Sequence, residues 1–226
     1  LTILLLGAIL FSLQAQSQTL PWLRISENGH YLQTNNGQPF FYQGDTAWEL
    51  FHRLSREEAD LYLKDRASKG YNVIQAVALA ELEGIDIVNA YGHCPLINRN
   101  PAQPATEDGE NNDYWDNVDY IIGRANALGM YVGLLPTWGR WGRDENPIFD
   151  EQNAETFGRW IAQRYAKYDI IWILGGDRNP DSEPLTRIIN AMARGIRSVD
   201  TKHLMTFHPA GWQTSSQWLH NEEWLD

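Results

Sequence analysis

At 226 residues, with 43% hydrophobic and 12% aromatic content, the chain can bury a sizeable core and is not disordered. A formal charge of −11 disfavours nucleic acid and anionic membrane surfaces as partners, since neither gains from an acidic protein. The single cysteine, Cys94, excludes an intrachain disulfide framework and a Cys-based zinc site.

Ten Trp and ten Tyr are more than packing requires. Most will be structural, but aromatic faces also stack on the apolar faces of sugar rings, so the excess hints at carbohydrate.

Residues 1–16 form an apolar run of about a dozen followed by small and polar residues, too short for a membrane anchor. We read residues 1–18 as a signal peptide with cleavage near Ala15, and residues 19–226 as one folded unit of an exported, periplasmic or extracellular protein. No initiator Met or basic segment precedes the run, so the natural start is expected to lie upstream.

Residues 22–43 alternate apolar and polar positions and are broken by Asn28-Gly29 and Asn36-Gly37, which supply the positive φ of tight turns. This predicts an antiparallel β-hairpin entry. A strand over 40–43 is expected to exit into Asp45 and Trp48. Ser55 with Glu58 is a capping box; Ala59, Tyr62, Leu63 and Ala67 continue at helical spacing until Gly70. A second strand spans 72–80.

Residues 81–113 lack periodicity and are rich in Asn, Pro and Gly, a long loop of the functional kind. A helix capped by Asn112 or Asp113 carries Val118, Ile121, Ile122, Ala125 and Leu128 on one face. A third strand over 130–136 exits at Trp138, and a third helix starts at Asn153. The fourth strand, 170–174, is a β-branched apolar run that ends in Gly175-Gly176-Asp177-Arg178-Asn179. A fourth helix begins near Ser182 with Pro184 in its first turn. A fifth strand, 204–207, exits at His208, and residues 224–226 could open a sixth.

Strand and helix alternate, with short helix-to-strand and long strand-to-helix connections. This is the asymmetry of a (β/α)8 TIM barrel, whose sites are built from the loops at the strands' C-terminal ends. A doubly wound sheet is the competitor, weakened by the lack of a Gly-rich phosphate loop after the first strand. The barrel is expected as its N-terminal part only, about five strands of eight, so that the chain is a fragment at both ends.

In a barrel, Asp45, Trp48, Gln75, Glu81, Trp138, Asp177, Asn179 and His208 converge on one face. Carboxylates among Trp, Asn and His suit glycoside hydrolysis, in which one carboxyl protonates the leaving oxygen and another attacks or activates water. Each has a plainer reading. Asp177 can cap the next helix or pair with Arg178, Asp45 can be held by Thr46 and backbone amides, Gln75 can be a core amide, and Trp138 can be a packed lid. His52 and His93 form no metal-ligand pattern, and no metal or cofactor is expected.

The runs GDTAWELFHRL (44–54), NVIQAVALAE (72–81), GLLPTW (133–138), IWILGGDRNP (171–180) and HLMTFHP (203–209) closely resemble the apiosidase-like glycoside hydrolases, family 140. The resemblance covers nearly everything after the signal segment. It implies a (β/α)8 catalytic domain, often followed by a β-sandwich, in retaining enzymes that cut apiose-containing side chains of the plant pectin rhamnogalacturonan-II. It further implies that an Asp at the end of the fourth strand, which falls on Asp177, is the acid/base. Asp45, Trp48, Gln75, Glu81, Trp138, Asn179 and His208 then stand as substrate-binding positions. The family's nucleophile, a Glu at the end of the seventh strand, is expected beyond residue 226, which would leave this stretch inactive by itself.

Two alternatives stay open, a carbohydrate-binding relative without catalysis and an inverting enzyme pairing Glu81 with Asp177. A guanidinium on the acid's carboxylate would work against its protonation, so Arg178 is expected to point away from Asp177 toward a structural partner.

Overall fold

A computed structural model describes residues 20–144 and 146–226. The predicted signal segment, 1–18, lies outside the described residues.

An antiparallel sheet opens the fold, with β1 (Leu23–Ile25), β2 (Leu32–Thr34) and β3 (Pro39–Phe40) in that order. Gly29 and Gly37 take positive φ, 75° and 83°, as their turns require. Both connections are nevertheless longer than two-residue hairpin loops, because Ser26 N–H pairs with the Tyr31 carbonyl and Thr34 N–H with that of Gln38.

The parallel sheet starts later than expected. Residues 41–43 pair with neither sheet's ladder, and β4 is Gly44–Thr46 itself. It is followed by a short α1 (Leu50–Arg53), then α2 (Arg56–Ser68) with its capping box of Ser55 and Glu58, then β5 (Val73–Val77). The long loop holds one 3-10 turn, Ile97–Arg99, and a single bridge between Leu96 and Pro104. Asp113 caps α3 (Tyr114–Ala127), which leads to β6 (Tyr131–Leu135).

A short α4 (Arg140–Arg143) precedes α5 (Glu151–Tyr165), where Asp150 caps and Asn153 closes the box from the first turn. Then come β7 (Ile170–Gly175), α6 (Glu183–Arg197) with Pro184 in its first turn, β8 (Met205–His208) and α7 (Ser216–Leu219).

The five parallel strands lie in chain order, β4-β5-β6-β7-β8. A doubly wound sheet would reverse its order at a switch point, and the described strands show none. The order is that of successive units of a (β/α)8 barrel. Residues 224–226 form no strand, but Asp226 exchanges bonds with Met205 at the start of β8, donating its N–H (2.9 Å) and accepting through Oδ2 (2.7 Å).

Side chains alternate between the two faces of the sheet. Gln75, Gly133, Ile173 and Tyr42 crowd one another on the inner face: a Cβ on Gly133 would stand 2.8 Å from Ile173 Cδ1 and 3.1 Å from Gln75 Cγ. The outer face carries Ile74, Leu134, Trp172 and Leu174, all buried. Trp172 Nε1 donates there to Asp200 (2.8 Å), which also holds His203 Nδ1 (2.7 Å).

Candidate active site

The exits of β4, β6, β7 and β8 meet around Asp177. Behind it, the apolar run 170–174 is buried as expected for a strand covered on both faces, and then the backbone turns sharply. Gly175, Gly176 and Asp177 all have positive φ (89°, 126° and 51°). The glycines are required, since a Cβ on Gly175 would stand 2.6 Å from the His208 carbonyl oxygen and one on Gly176 2.6 Å from the Trp138 ring.

Asp177 projects from this turn with its side chain 51% exposed, and its Oδ1 lies 3.1 Å from His208 Nε2. The imidazole sits against two indoles. Ring centroids are 5.4 Å apart for Trp48 and His208, 5.5 Å for Trp138 and His208, and 5.1 Å for Trp48 and Trp138. The edge-on arrangement of His208 against both rings fixes the imidazole plane.

Arg178 turns away from the Asp177 carboxylate, as anticipated. Its Nε reaches both oxygens of Asp144 (3.0 and 2.9 Å), Nη2 bonds Asp144 Oδ2, and Nη1 donates to the main-chain carbonyl of Asp177 (3.0 Å). The guanidinium beside Asp144 holds that carboxyl below the usual carboxylate range.

The other predicted positions divide. Trp48 and His208 join Asp177. Glu81 stands beside the group, its Oε1 3.7 Å from Arg178 Nη2. Asn179 is close in sequence, but its Oδ1 accepts from the Ala210 N–H (3.0 Å) and ties the β7 exit to the β8 exit.

Gln75 lies deeper, donating to the Tyr42 hydroxyl (3.0 Å), whose pKa burial pushes up to about 12. A cleft of about 430 Å³ bounded by Tyr42, Gln75, Thr206, His208 and Trp212 runs from there to the β8 exit.

Two positions expected to bind substrate take their plainer readings instead. Trp138 is only 2% exposed, so it is a wall of the site and not an open stacking platform. Asp45 is not at the site at all. It lies within β4, paired with Ile74, on the outer face, where it binds the Tyr62 hydroxyl (2.8 Å) and Arg66 of α2. Burial alone would raise its carboxyl, but these bonds and the Thr46 N–H together hold it low. Asp144 was missed in the sequence. The signal available was Arg178's need for a partner and an acidic residue in the loop of the neighbouring strand.

The Asp177 carboxylate has no arginine on its oxygens among the described residues, whereas Glu81 and Asp144 both face Arg178. Among the described residues, no three or more His, Cys, Asp or Glu side chains cluster as metal ligands would. An exposed carboxyl and an imidazole beside indole walls, at the exits of a barrel-type sheet, are groups that sugar-cleaving chemistry can use.

Comparison with known proteins gives the family. The apiosidase-like catalytic domain matches residues 26–226, and the chain belongs to that family. A glycoside hydrolase family 5 protein from Bacteroides vulgatus is similar at 38% identity and a TM-score of 0.83, over 92% of this chain and 44% of that one. Another solved glycoside hydrolase is 37% identical with a TM-score of 0.80, over 92% of this chain and 46% of its own. The chain therefore spans less than half the length of either. An endo-1,4-β-mannanase from Rhizomucor miehei, 14% identical with a TM-score of 0.59 over 82% of this chain and 60% of its own, shares the fold. Among curated proteins nothing matches.

Proposed function

We propose that this chain forms part of an exported retaining glycosidase of the apiosidase type, acting on apiose-containing side chains of plant pectin, with Asp177 as the acid/base. The observation that carries the assignment is the Asp177 carboxyl itself, exposed at the β7 exit, bonded to His208 and kept clear of Arg178.

In the first step the protonated carboxyl gives its proton to the leaving glycosidic oxygen while a nucleophilic carboxylate attacks the anomeric carbon. In the second, the Asp177 carboxylate takes a proton from the water that cleaves the glycosyl-enzyme. On this reading His208 Nε2 orients the carboxylate, Trp48 offers its partly exposed ring to the sugar, and Trp138 excludes water from behind. The nucleophile is assigned, by the family resemblance, to a Glu of a later strand.

Export rests on the apolar segment 1–16. Among the described residues no helix is long and apolar enough to cross a membrane.

The test is an assay of the full-length protein on apiosides. Asp177→Ala is expected to lower the rate by about 10²–10⁴-fold, the usual contribution of a positioned acid/base. A rate within a few-fold of wild type would remove Asp177 from the chemistry.

A further inference from the structure

The backbone that presents Asp177 is unusual, because three successive residues adopt positive φ and the third of them carries a side chain. Left-handed backbone is disfavoured for a residue with a Cβ and persists only where the surroundings hold it in place. Gly175 and Gly176 need no such support. Asp177 does, and the bonds around it show where the support comes from.

The preceding peptide is held by the neighbouring strand exits. Gly176 N–H donates to the His208 carbonyl (2.9 Å), and Gly139 N–H donates to the Gly176 carbonyl (3.2 Å). The following peptide is held by Arg178 Nη1 on the Asp177 carbonyl (3.0 Å). That guanidinium is in turn fixed by Asp144 through Nε and Nη2. Asp144 is itself anchored, with its N–H on the Arg140 carbonyl (3.0 Å) at the end of α4. A chain of contacts thus runs from α4 through Asp144 and Arg178 to the main chain of Asp177, and ends at the carboxyl on His208.

We propose that Asp144 and Arg178 are positioning residues that clamp Asp177 in its left-handed conformation and so aim its carboxyl. The inference rests on the acid/base reading of Asp177. Arg178 does two things at once: it satisfies Asp144 with one edge of its fork and fixes the Asp177 peptide with the other. Lysine has one compact donor group and cannot reproduce that division. Without the clamp, the peptide joining residues 177 and 178 is free to rotate, φ of Asp177 relaxes to negative values, and the carboxyl swings off His208. A displacement of about 1 Å in a reacting group can cost on the order of 10²-fold in rate.

The experiment compares full-length wild type with Arg178→Ala, Arg178→Lys, Asp144→Asn and Asp177→Ala, by kcat/KM on an alkyl apioside and on a dinitrophenyl apioside, and by crystal structures of the Arg178 variants. An alkoxide leaving group needs the acid's proton and a dinitrophenolate does not. Both Arg178 variants are therefore expected to lose about 10- to 100-fold on the alkyl substrate and less than about 3-fold on the activated one, with Asp144→Asn between them and wild type.

In the crystal, Asp177 is expected to leave the left-handed region and lose its contact with His208. An Asp177 that keeps its positive φ and the His208 bond in both Arg178 variants overturns the clamp whatever the kinetics. Equal losses on the two substrates also overturn it and make the ion pair a structural tie only. If instead Asp177→Ala is as fast as wild type on the alkyl substrate, it is the acid/base reading that falls; the crystal structures still decide the clamp.

Discussion

At the scale of the residue, one carboxylate was legible in the sequence and another was not. Asp177 stands out because a β-branched apolar run ends in two glycines and a carboxylate, and the structure places it at a strand exit. Asp45 follows what looks like the same pattern after residues 40–43, yet it belongs to the strand and not to its exit. The difference is one of frame. Pro39 and Phe40 are taken up by the antiparallel sheet, so the parallel strand begins at Gly44, and alternation sends Asp45 outward to α2.

Asp45→Asn should therefore leave kcat and KM within about 2-fold while lowering stability by about 1–3 kcal/mol, because the Tyr62 hydroxyl and Arg66 lose a charged acceptor. Urea denaturation alongside the kinetics checks this, and a large change in KM would return Asp45 to the substrate. Trp138 teaches a related lesson. Its position at a strand exit is readable from the sequence, but whether an indole is a platform or a wall depends on Gly176 and Trp48 packing over it, which spacing cannot reveal.

At the scale of the element, the regular helices and strands were largely readable because caps and periodicity agree. Ser55 with Glu58 and Gly70 bracket α2 as their chemistry requires. The four-residue helices α1, α4 and α7 were not, since one turn leaves no periodicity to detect.

What sequence also conceals is how closely two helices approach. On α5 and α6, a Cβ on Gly158 would stand 2.4 Å from the Met192 carbonyl oxygen, and one on Gly195 2.2 Å from that of Glu155. Both obstacles are backbone and cannot swing aside. Gly195→Ala is thus expected to destabilise by about 1–3 kcal/mol through overpacking, even though Ala is favoured over Gly within a helix by about 1 kcal/mol. A thermal midpoint equal to or above wild type would show that the helices can separate at no cost.

The connection from α6 to β8 carries a second element-scale prediction. Burial would raise the Asp200 carboxyl, but the hydrogen bonds from His203, Trp172 and the Lys202 N–H, with the His203 charge, outweigh it and hold the carboxyl far below its usual range. A carboxyl depressed in the folded state stabilises fully above its unfolded pKa of about 3.9 and loses that contribution as pH falls toward the folded value. Asp200→Asn should accordingly lower stability at pH 7 and flatten the decline of the melting temperature below about pH 4. Parallel acid limbs in the two proteins would show that Asp200 carries no such linkage.

At the scale of the whole molecule, the alternation of strand and helix with long polar strand-to-helix loops was enough to favour a barrel, and the sequential strand order agrees. The partnership of the loops was not readable, because Asp144 and Arg178 are 34 residues apart and meet only when β6 and β7 lie side by side. That partnership bears on which carboxyl can serve beside Asp177.

An inverting route through Glu81 needs a carboxylate free to take a proton from water. Glu81 instead stands 3.7 Å from Arg178, the same guanidinium that secures Asp144. A guanidinium at that distance favours the ionised Glu81 carboxylate and opposes its taking a proton from water, whereas the proposed retaining route asks nothing of Glu81. Glu81→Gln should then cost less than about 10-fold in kcat, against the 10²–10⁴-fold or so of losing a general base, and the first-formed sugar should keep its anomeric configuration. NMR of the product within the first minutes of reaction reads the configuration directly. Inverted product together with a collapse of activity in Glu81→Gln would transfer the second carboxyl role to Glu81 and make the enzyme inverting.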